Sequence, residues 1–138
     1  MQRGGIINGM SVKSHGVDMV ECARLRESID RHGQRFMDRV FTPLEQAYCK
    51  GKKREIEHLA GRFAAKEAAA KALGTGIGVI GWQDIEIQRG PNGEPVLHLY
   101  ASAAALAEKQ GLTTWSVSIS HTQTYAVAMA VACGPVET

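Results

Sequence analysis

The stretch GRFAAKEAAAKALGTGIG (residues 61–78) decides how the rest of this 138-residue chain is interpreted. It is typical of a helix that ends at its glycines. Residues three or four apart are neighbours on a helix, so Leu59, Phe63, Glu67 and Lys71 form one row that begins apolar and ends charged. A glutamate that extends an apolar row is costly to desolvate unless it is paired, hydrogen-bonded or bound to a metal. The row therefore indicates a functional site, and a surface ion pair between Glu67 and Lys71 is the structural alternative.

Around this helix, helical patterns come first and alternating patterns follow. At Thr42-Pro43-Leu44-Glu45, Thr42 can cap a helix, Pro43 suits its first position and Glu45 can close a capping box. The patterns predict helices over 20–31, near 36–41, from Thr42, over about 55–73 and over 102–110, and strands over 12–18, 84–89, 95–99, 115–121 and 125–132, the last largely buried. This order predicts an α+β fold with an antiparallel sheet packed against one long helix and several shorter helices.

The composition fits one compact domain. Hydrophobic residues make up 44% of the chain and charged residues 22%. We expect a loose tail over residues 1–11 and a single domain over residues 12–138. The three cysteines, Cys22, Cys49 and Cys133, have no metal-ligand spacing, which favours reduced thiols in a cytoplasmic protein. No apolar run approaches the roughly 20 residues that cross a bilayer, so we expect no membrane association.

Positive charge is concentrated in one region. The net charge of +2 is too small to argue for nucleic acid, yet residues 24–54 hold nine Arg or Lys residues against four Asp or Glu residues. Such a patch on a nearly neutral domain suggests an acidic partner or a phosphate ligand. A solvated helical surface is the alternative.

Three further features each allow a structural and a functional interpretation. Asp18 ends a predicted strand just before a helix, so it suits a helix N-cap or a metal-binding carboxylate, and the two roles do not exclude each other. His121 follows Ser120 at a strand end, where a histidine is usually a satisfied edge residue. The glycines of residues 74–78 follow a helix and lack the Gly-Lys-Ser/Thr ending of a phosphate loop, so we interpret them as a helix cap and a loop.

Four segments taken together resemble the holo-[acyl-carrier-protein] synthases, small trimeric 4′-phosphopantetheinyl transferases. In order these are GVDMVE (residues 16–21), FTPLE (41–45), the stretch over 61–78, and SISHT (118–122). The resemblance covers about residues 12–132. The sequence departs from the family pattern in the polar segment Val12-Lys13-Ser14-His15 and at Cys22, where aliphatic residues are more usual. These departures bear on the packing of the first strand and leave the central motifs intact.

The resemblance implies a set of site residues. Asp18 and Glu67 would be Mg²⁺ ligands, the substrate would be coenzyme A with the metal on its pyrophosphate, and Lys71 would lie beside that pyrophosphate. Arg62, Ser120 and His121 would hold the adenosine 3′-phosphate. Family members place these sites between the subunits of a homotrimer.

The resemblance also implies a reaction. The serine of an apo acyl carrier protein would attack the β-phosphorus of coenzyme A, and adenosine 3′,5′-bisphosphate would leave. The sequence leaves the base open, and Glu67, acting directly or through a metal-bound water, is one candidate. Carrier proteins are acidic, and Arg24, Arg31, Arg35 and Phe36 would form the docking face.

Two other functions use the same features. One is a different Mg²⁺-dependent enzyme that handles phosphate with the same two carboxylates. The other is a non-catalytic module whose basic helices bind an acidic partner or RNA.

Overall fold

A computed structural model describes residues 9–136, which form five strands and five α-helices. The elements are β1 (Met10–Glu21), α1 (Cys22–His32), α2 (Gln34–Val40), α3 (Pro43–Cys49), α4 (Glu55–Leu73), β2 (Ile85–Arg89), β3 (Pro95–Leu99), α5 (Ala101–Lys109), β4 (Thr114–His121) and β5 (Tyr125–Pro135). A short 3₁₀ helix (Trp82–Asp84) precedes β2. The predicted α+β fold is confirmed.

Two antiparallel sheets surround helix α4. The larger has the strand order β1-β5-β4, and the smaller is the β2–β3 hairpin. Strand β1 pairs with β5 from Met10 opposite Pro135 to Glu21 opposite Tyr125. Helix α4 packs against all three strands of the larger sheet. None of the described helices is both long and apolar enough to cross a membrane.

Small residues let α4 lie unusually close to the larger sheet. The buried faces of α4 and β5 meet through alanines: Ala64, Ala65, Ala68, Ala69 and Ala72 on the helix, and Ala126, Ala128, Ala130 and Ala132 on the strand. A Cβ atom placed on Gly16 of β1 would lie 2.1 Å from the carbonyl oxygen of Ala68. No side chain fits in that space, so Gly16 fixes the distance between β1 and α4.

A buried ion pair joins α3 to α4 and to the hairpin. Lys66 Nζ lies 2.7 Å from Glu45 Oε1, and neither side chain is exposed. Lys66 also donates to the carbonyls of Trp82 and Ile85, at 2.9 and 2.8 Å. Glu45 accepts from the backbone N–H groups of Thr42 and Ile87, at 2.8 and 2.7 Å. Every charge of this pair is therefore compensated without water.

The start of α3 and the bounds of α4 agree with the sequence prediction. Thr42 caps α3 and forms the expected capping box with Glu45, with Pro43 in the first turn. Helix α4 covers 55–73 as predicted, and Gly74 ends it with a left-handed φ of 85°.

Strands β1 and β5 are longer than predicted. β1 begins at Met10, inside the segment expected to be a tail; residues 1–8 and 137–138 lie outside the described residues. β5 reaches Pro135, and only its inner face is buried, since Val127 and Met129 are exposed. The prediction of a largely buried strand was wrong. Small and large residues alternate along β5, but all have apolar side chains, so hydropathy does not show that only every second residue faces the core.

We expect Lys66→Met to lower the free energy of unfolding by about 3–5 kcal/mol, since it leaves the Glu45 carboxylate buried without its counter-charge. Glu45→Gln combined with Lys66→Met should cost less than the sum of the two single changes. Chemical denaturation of the four proteins measures both quantities. Lys109→Met, at an exposed lysine, is the control and should shift stability by no more than about 0.5 kcal/mol. Additive losses in the double variant would show that the two side chains do not depend on each other.

Candidate active site

The contact between β1 and α4 joins Lys71 to Asp18. Lys71 Nζ lies 3.0 Å from Asp18 Oδ1 and donates to the carbonyl of Val17, also at 3.0 Å. Asp18 lies inside β1, where it pairs with Ala128 of β5. The N-cap position of α1 belongs to Glu21. The N-cap interpretation of Asp18 is therefore wrong, because the strand continues for three residues beyond it.

Glu67 shares a cavity of about 340 Å³ with Asp18. The cavity is also lined by Met19, Val20, Glu21, Arg24, Leu25, Ser28, Phe36 and Phe63. Burial and the neighbouring Asp18 charge raise the pKa of Glu67, and Lys71 offsets part of that rise. Two carboxylates at one cavity thus have more negative charge than Lys71 alone compensates.

These two carboxylates fit a hard divalent cation. Mg²⁺ prefers oxygen ligands and commonly takes one or two protein carboxylates, with water and substrate phosphates completing its shell. Residues 9–136 hold no cluster of three or more His, Cys, Asp or Glu side chains suited to a metal. An ion bound by Asp18 and Glu67 would therefore need further ligands from outside these side chains.

A second group of predicted residues lies along the first turns of α4. Arg62 is buried, and its guanidinium carbon lies 4.0 Å from the centre of the Tyr48 ring. His121 of β4 places Nδ1 2.8 Å from Oε1 of Glu57. The ring of His58 lies 5.4 Å from that of His121 and 5.7 Å from that of Tyr48. The structure thus brings Arg62 and His121 into one cluster with three residues that the sequence did not single out.

Ser120 does not join this cluster within one chain. Neighbouring residues of a strand point to opposite faces, and Ser120 is exposed beside Val127 on the outer face of the sheet. His121 lies on the inner face, against α4.

The two groups occupy opposite flanks of α4. Asp18 of β1 and Ile119 of β4 both pair with Ala128 of the central strand β5. The two edge strands are therefore about 10 Å apart at this level. His121 lies two residues further along β4. Glu67 and Arg62 are five residues apart on α4, which turns them about 140° from each other. One chain therefore carries a carboxylate group and a cationic group that do not face each other.

The residues predicted to dock a partner lie beside the cavity lined by Asp18 and Glu67, which we call the carboxylate cavity. Arg24, Arg31 and Arg35 are exposed, and Phe36 is half-buried. Arg24 and Phe36 also line the cavity that holds Asp18 and Glu67. A partner bound to this face would meet the cavity directly.

Sequence reasoning missed Glu57, Tyr48 and His58. Glu57 and His121 are 64 residues apart, so no local spacing announces their contact. Tyr48 and His58 belong to two helices joined by a basic turn, and only the packing of α3 on α4 brings their rings together.

Comparisons with known proteins agree on one family. The model of the 4′-phosphopantetheinyl transferase superfamily matches residues 14–130. The chain is 49% identical over 116 residues to a holo-[acyl-carrier-protein] synthase of Moorella thermoacetica, covering 84% of this chain and 90% of that protein.

Two solved structures show the same fold. The structure of the Neisseria meningitidis holo-[acyl-carrier-protein] synthase has a TM-score of 0.80 at 35% identity and covers 88% of this chain and 98% of its own. That of the Bacillus anthracis synthase, in complex with CoA (3′,5′-ADP), has a TM-score of 0.74 at 36% identity and covers 91% and 99%.

Proposed function

Because this chain belongs to the holo-[acyl-carrier-protein] synthases of the 4′-phosphopantetheinyl transferase superfamily, we propose that it moves the 4′-phosphopantetheine arm of coenzyme A to a serine of an apo acyl carrier protein in a Mg²⁺-dependent reaction. The observation that supports this most is the cavity shared by Asp18 and Glu67, with Lys71 joined to Asp18. We place the reaction in the cytoplasm, in fatty-acid biosynthesis or a related lipid pathway.

Asp18 and Glu67 would hold the metal ion. When bound, Mg²⁺ supplies positive charge that binds the pyrophosphate and stabilises the charge of the leaving phosphate. Lys71 adds a second positive charge beside it, and the hydrogen bond to the Val17 carbonyl fixes where its ammonium group lies. The protein's task is to position and neutralise phosphates, which is the main requirement of phosphoryl transfer.

Glu67 is the group we assign as proton acceptor. Its carboxylate lines the same cavity as Asp18, beside the face on which we propose that the carrier protein docks, so it lies where the acceptor serine would arrive. The serine oxygen forms a bond to the β-phosphorus, its proton passes to the Glu67 carboxylate, and the bond to the bridging oxygen breaks. Adenosine 3′,5′-bisphosphate leaves with that oxygen, so atoms and charge balance.

Arg62 and His121 are the residues we assign to the adenosine 3′-phosphate. Since they lie on the far flank of α4 from Asp18, the complete site forms between two chains. The carboxylate group of one chain then faces the cationic group of its neighbour, and Ser120 meets the ligand from the outer face of a sheet.

We further propose that three chains assemble through the outer face of the larger sheet. Val17 and Met19 of β1 are 55% and 64% exposed, and Val127 and Met129 of β5 are 38% and 48% exposed. These residues are cross-strand neighbours and form a contiguous apolar patch. Such a patch on a sheet marks a protein interface.

The acyl carrier protein would dock on the face formed by Arg24, Arg31, Arg35 and Phe36. Exposed arginines attract an acidic partner, and Phe36 offers an apolar anchor beside the cavity. This places the acceptor serine next to Asp18 and Glu67.

Incubation with apo carrier protein, coenzyme A and Mg²⁺ should add one phosphopantetheine arm, seen as a gain in intact mass. A chelator should abolish the gain and added Mg²⁺ should restore it. Asp18→Asn should slow transfer at least about a hundredfold, the scale of losing one charge-stabilising contact. Glu108→Gln, at an exposed residue of α5, is the matched control. Transfer that survives chelation would contradict the metal dependence, and no transfer at all would contradict the function.

Mixing two inactive variants tests whether sites form between chains. Asp18→Ala and His121→Ala proteins should each be inactive, and subunit exchange should restore up to about a quarter of the wild-type sites, since each site then draws one residue from each chain at random. Activity is measured after mild dissociation and reassembly. Mixtures that stay inactive, although mixed oligomers are seen by native mass spectrometry, would show that each chain holds a whole site.

Reversing the charge of Arg31 and Arg35 should raise the KM for carrier protein about tenfold or more, because like charges now face each other. The KM for coenzyme A should change little. Lys109→Glu, a reversal on the exposed end of α5, is the control for net charge. Equal changes in both KM values would count against this docking face.

A further inference from the structure

On the cationic flank of α4, the side that carries Arg62 and His121, Glu57 and Tyr48 contact these two residues and have no role in the proposed function. We propose that both are positioning residues for the 3′-phosphate of coenzyme A: Glu57 orients the His121 ring and Tyr48 orients the Arg62 guanidinium. This inference rests on the proposed function, in which His121 and Arg62 hold that phosphate.

Glu57 fixes the direction of the His121 ring. Its side chain is 7% exposed, and Oε1 lies 2.8 Å from His121 Nδ1. An ionised carboxylate only accepts hydrogen bonds, so Nδ1 carries the hydrogen in this contact. Nε2, on the opposite side of the ring, is then turned away from Glu57, and in the imidazolium form it donates to a phosphate oxygen. The His121 side chain is 26% exposed, which leaves it accessible to a ligand.

Tyr48 fixes the plane of the Arg62 guanidinium. Arg62 is 6% exposed, and its guanidinium carbon lies 4.0 Å from the Tyr48 ring centre. Its Nε is buried and has no hydrogen-bond partner among residues 9–136. A buried guanidinium with an unused donor is costly, and contact with an aromatic face offsets only part of that cost. Phosphate oxygens match the planar fork of donors that Arg62 holds in place.

The surrounding charges suit a dianion. Lys52 Nζ lies 4.4 Å from the Tyr48 ring centre. Burial lowers the pKa of His58, and so do the charges of His121, Arg62 and Lys52, against the smaller opposing effect of Glu57. The guanidinium of Arg62 and the ammonium of Lys52, both beside the Tyr48 ring, give this point a positive potential. A phosphate monoester, which carries up to two negative charges, would be attracted to it.

A purely structural role is the alternative. Glu57 links α4 to the end of β4, and Tyr48 packs α3 on α4. Loss of such links would lower the melting temperature and weaken all nucleotides alike. Loss of positioning would weaken only those ligands that carry the 3′-phosphate.

The test compares two ligands that differ by that phosphate. Titration calorimetry on the full-length protein measures Kd for adenosine 5′-monophosphate and for adenosine 3′,5′-bisphosphate, and their ratio is the preference for the 3′-phosphate. Glu57→Gln should reduce this preference about tenfold, the scale of one hydrogen bond to a charged group. Glu55→Gln is the matched control, since Glu55 lies in the same helical turn but accepts from the backbone N–H of Gly51 at 3.2 Å. It should keep the preference.

Tyr48 is tested in the same way. Tyr48→Leu removes the aromatic face and should reduce the preference several-fold, whereas Tyr48→Phe keeps the ring and should retain it. Melting temperatures identify variants whose fold is damaged, and the isosteric Glu57→Gln keeps the test usable if Tyr48→Leu unfolds.

The outcomes separate this inference from the function on which it rests. Equal preferences in Glu57→Gln and Glu55→Gln overturn it, as does an unchanged preference in Tyr48→Leu. If His121→Ala loses the preference and Glu57→Gln does not, only the positioning role fails. If the wild-type protein itself shows no preference, the assignment of His121 and Arg62 fails too, while the mass assay still decides whether the chain is a phosphopantetheinyl transferase.

Discussion

The contact between Gly16 of β1 and the backbone of α4 is the constraint on which the carboxylate cavity depends. Because a Cβ on Gly16 would lie 2.1 Å from the Ala68 carbonyl oxygen, the strand and the helix touch backbone to backbone. Two residues further on, Asp18 meets Lys71, and Glu67 joins the same cavity. A larger side chain at position 16 would separate the strand from the helix. The site is thus positioned by the absence of a side chain as much as by the presence of charged ones.

Helix α4 also divides the functional groups. Its alanine-rich faces pack against the sheet, and its charged residues emerge on different flanks. Asp18 and Glu67 lie on one flank, and Arg62 and His121 lie on the other. Because one side of α4 is packed on the sheet, a ligand has no path around the helix from one flank to the other. A ligand with a pyrophosphate and a monoester phosphate therefore does not contact both flanks of one chain. The association that we propose, through the exposed apolar sheet face, would bring the carboxylate flank of one chain to the cationic flank of another.

The sequence predicted those features that depend on local rules. The span of α4, the Thr42 capping box and the alternation of β4 follow from residues a few positions apart, and each is confirmed. The four quoted segments also sufficed to predict the family. The start of β1 was missed because Met10 and Ser11 are too few to show an alternation of their own, and they belong to the strand through pairing with Pro135 and Gly134 of β5. The pairs Glu45–Lys66 and Glu57–His121 depend on how distant elements pack, and a single sequence does not encode that in any local spacing.

Buried charges are paired more completely in the structural part of the molecule than at the candidate site. Glu45 and Lys66 are fully buried, and both have complete sets of partners. Glu67 and Arg62 lie on the same helix as Lys66, but their charges are not fully paired. Repulsion from Asp18 helps raise the pKa of Glu67, and Nε of Arg62 has no hydrogen-bond partner among the described residues. Glu45 and Lys66 show that buried charges with a purely structural role are fully paired in this chain. Charges that are not fully paired, such as those of Glu67 and Arg62, therefore indicate places where a ligand binds. Under the proposed function, a metal-bound phosphate ester would bring a cation to Glu67 and Asp18, beyond the charge of Lys71, and an anion to Arg62.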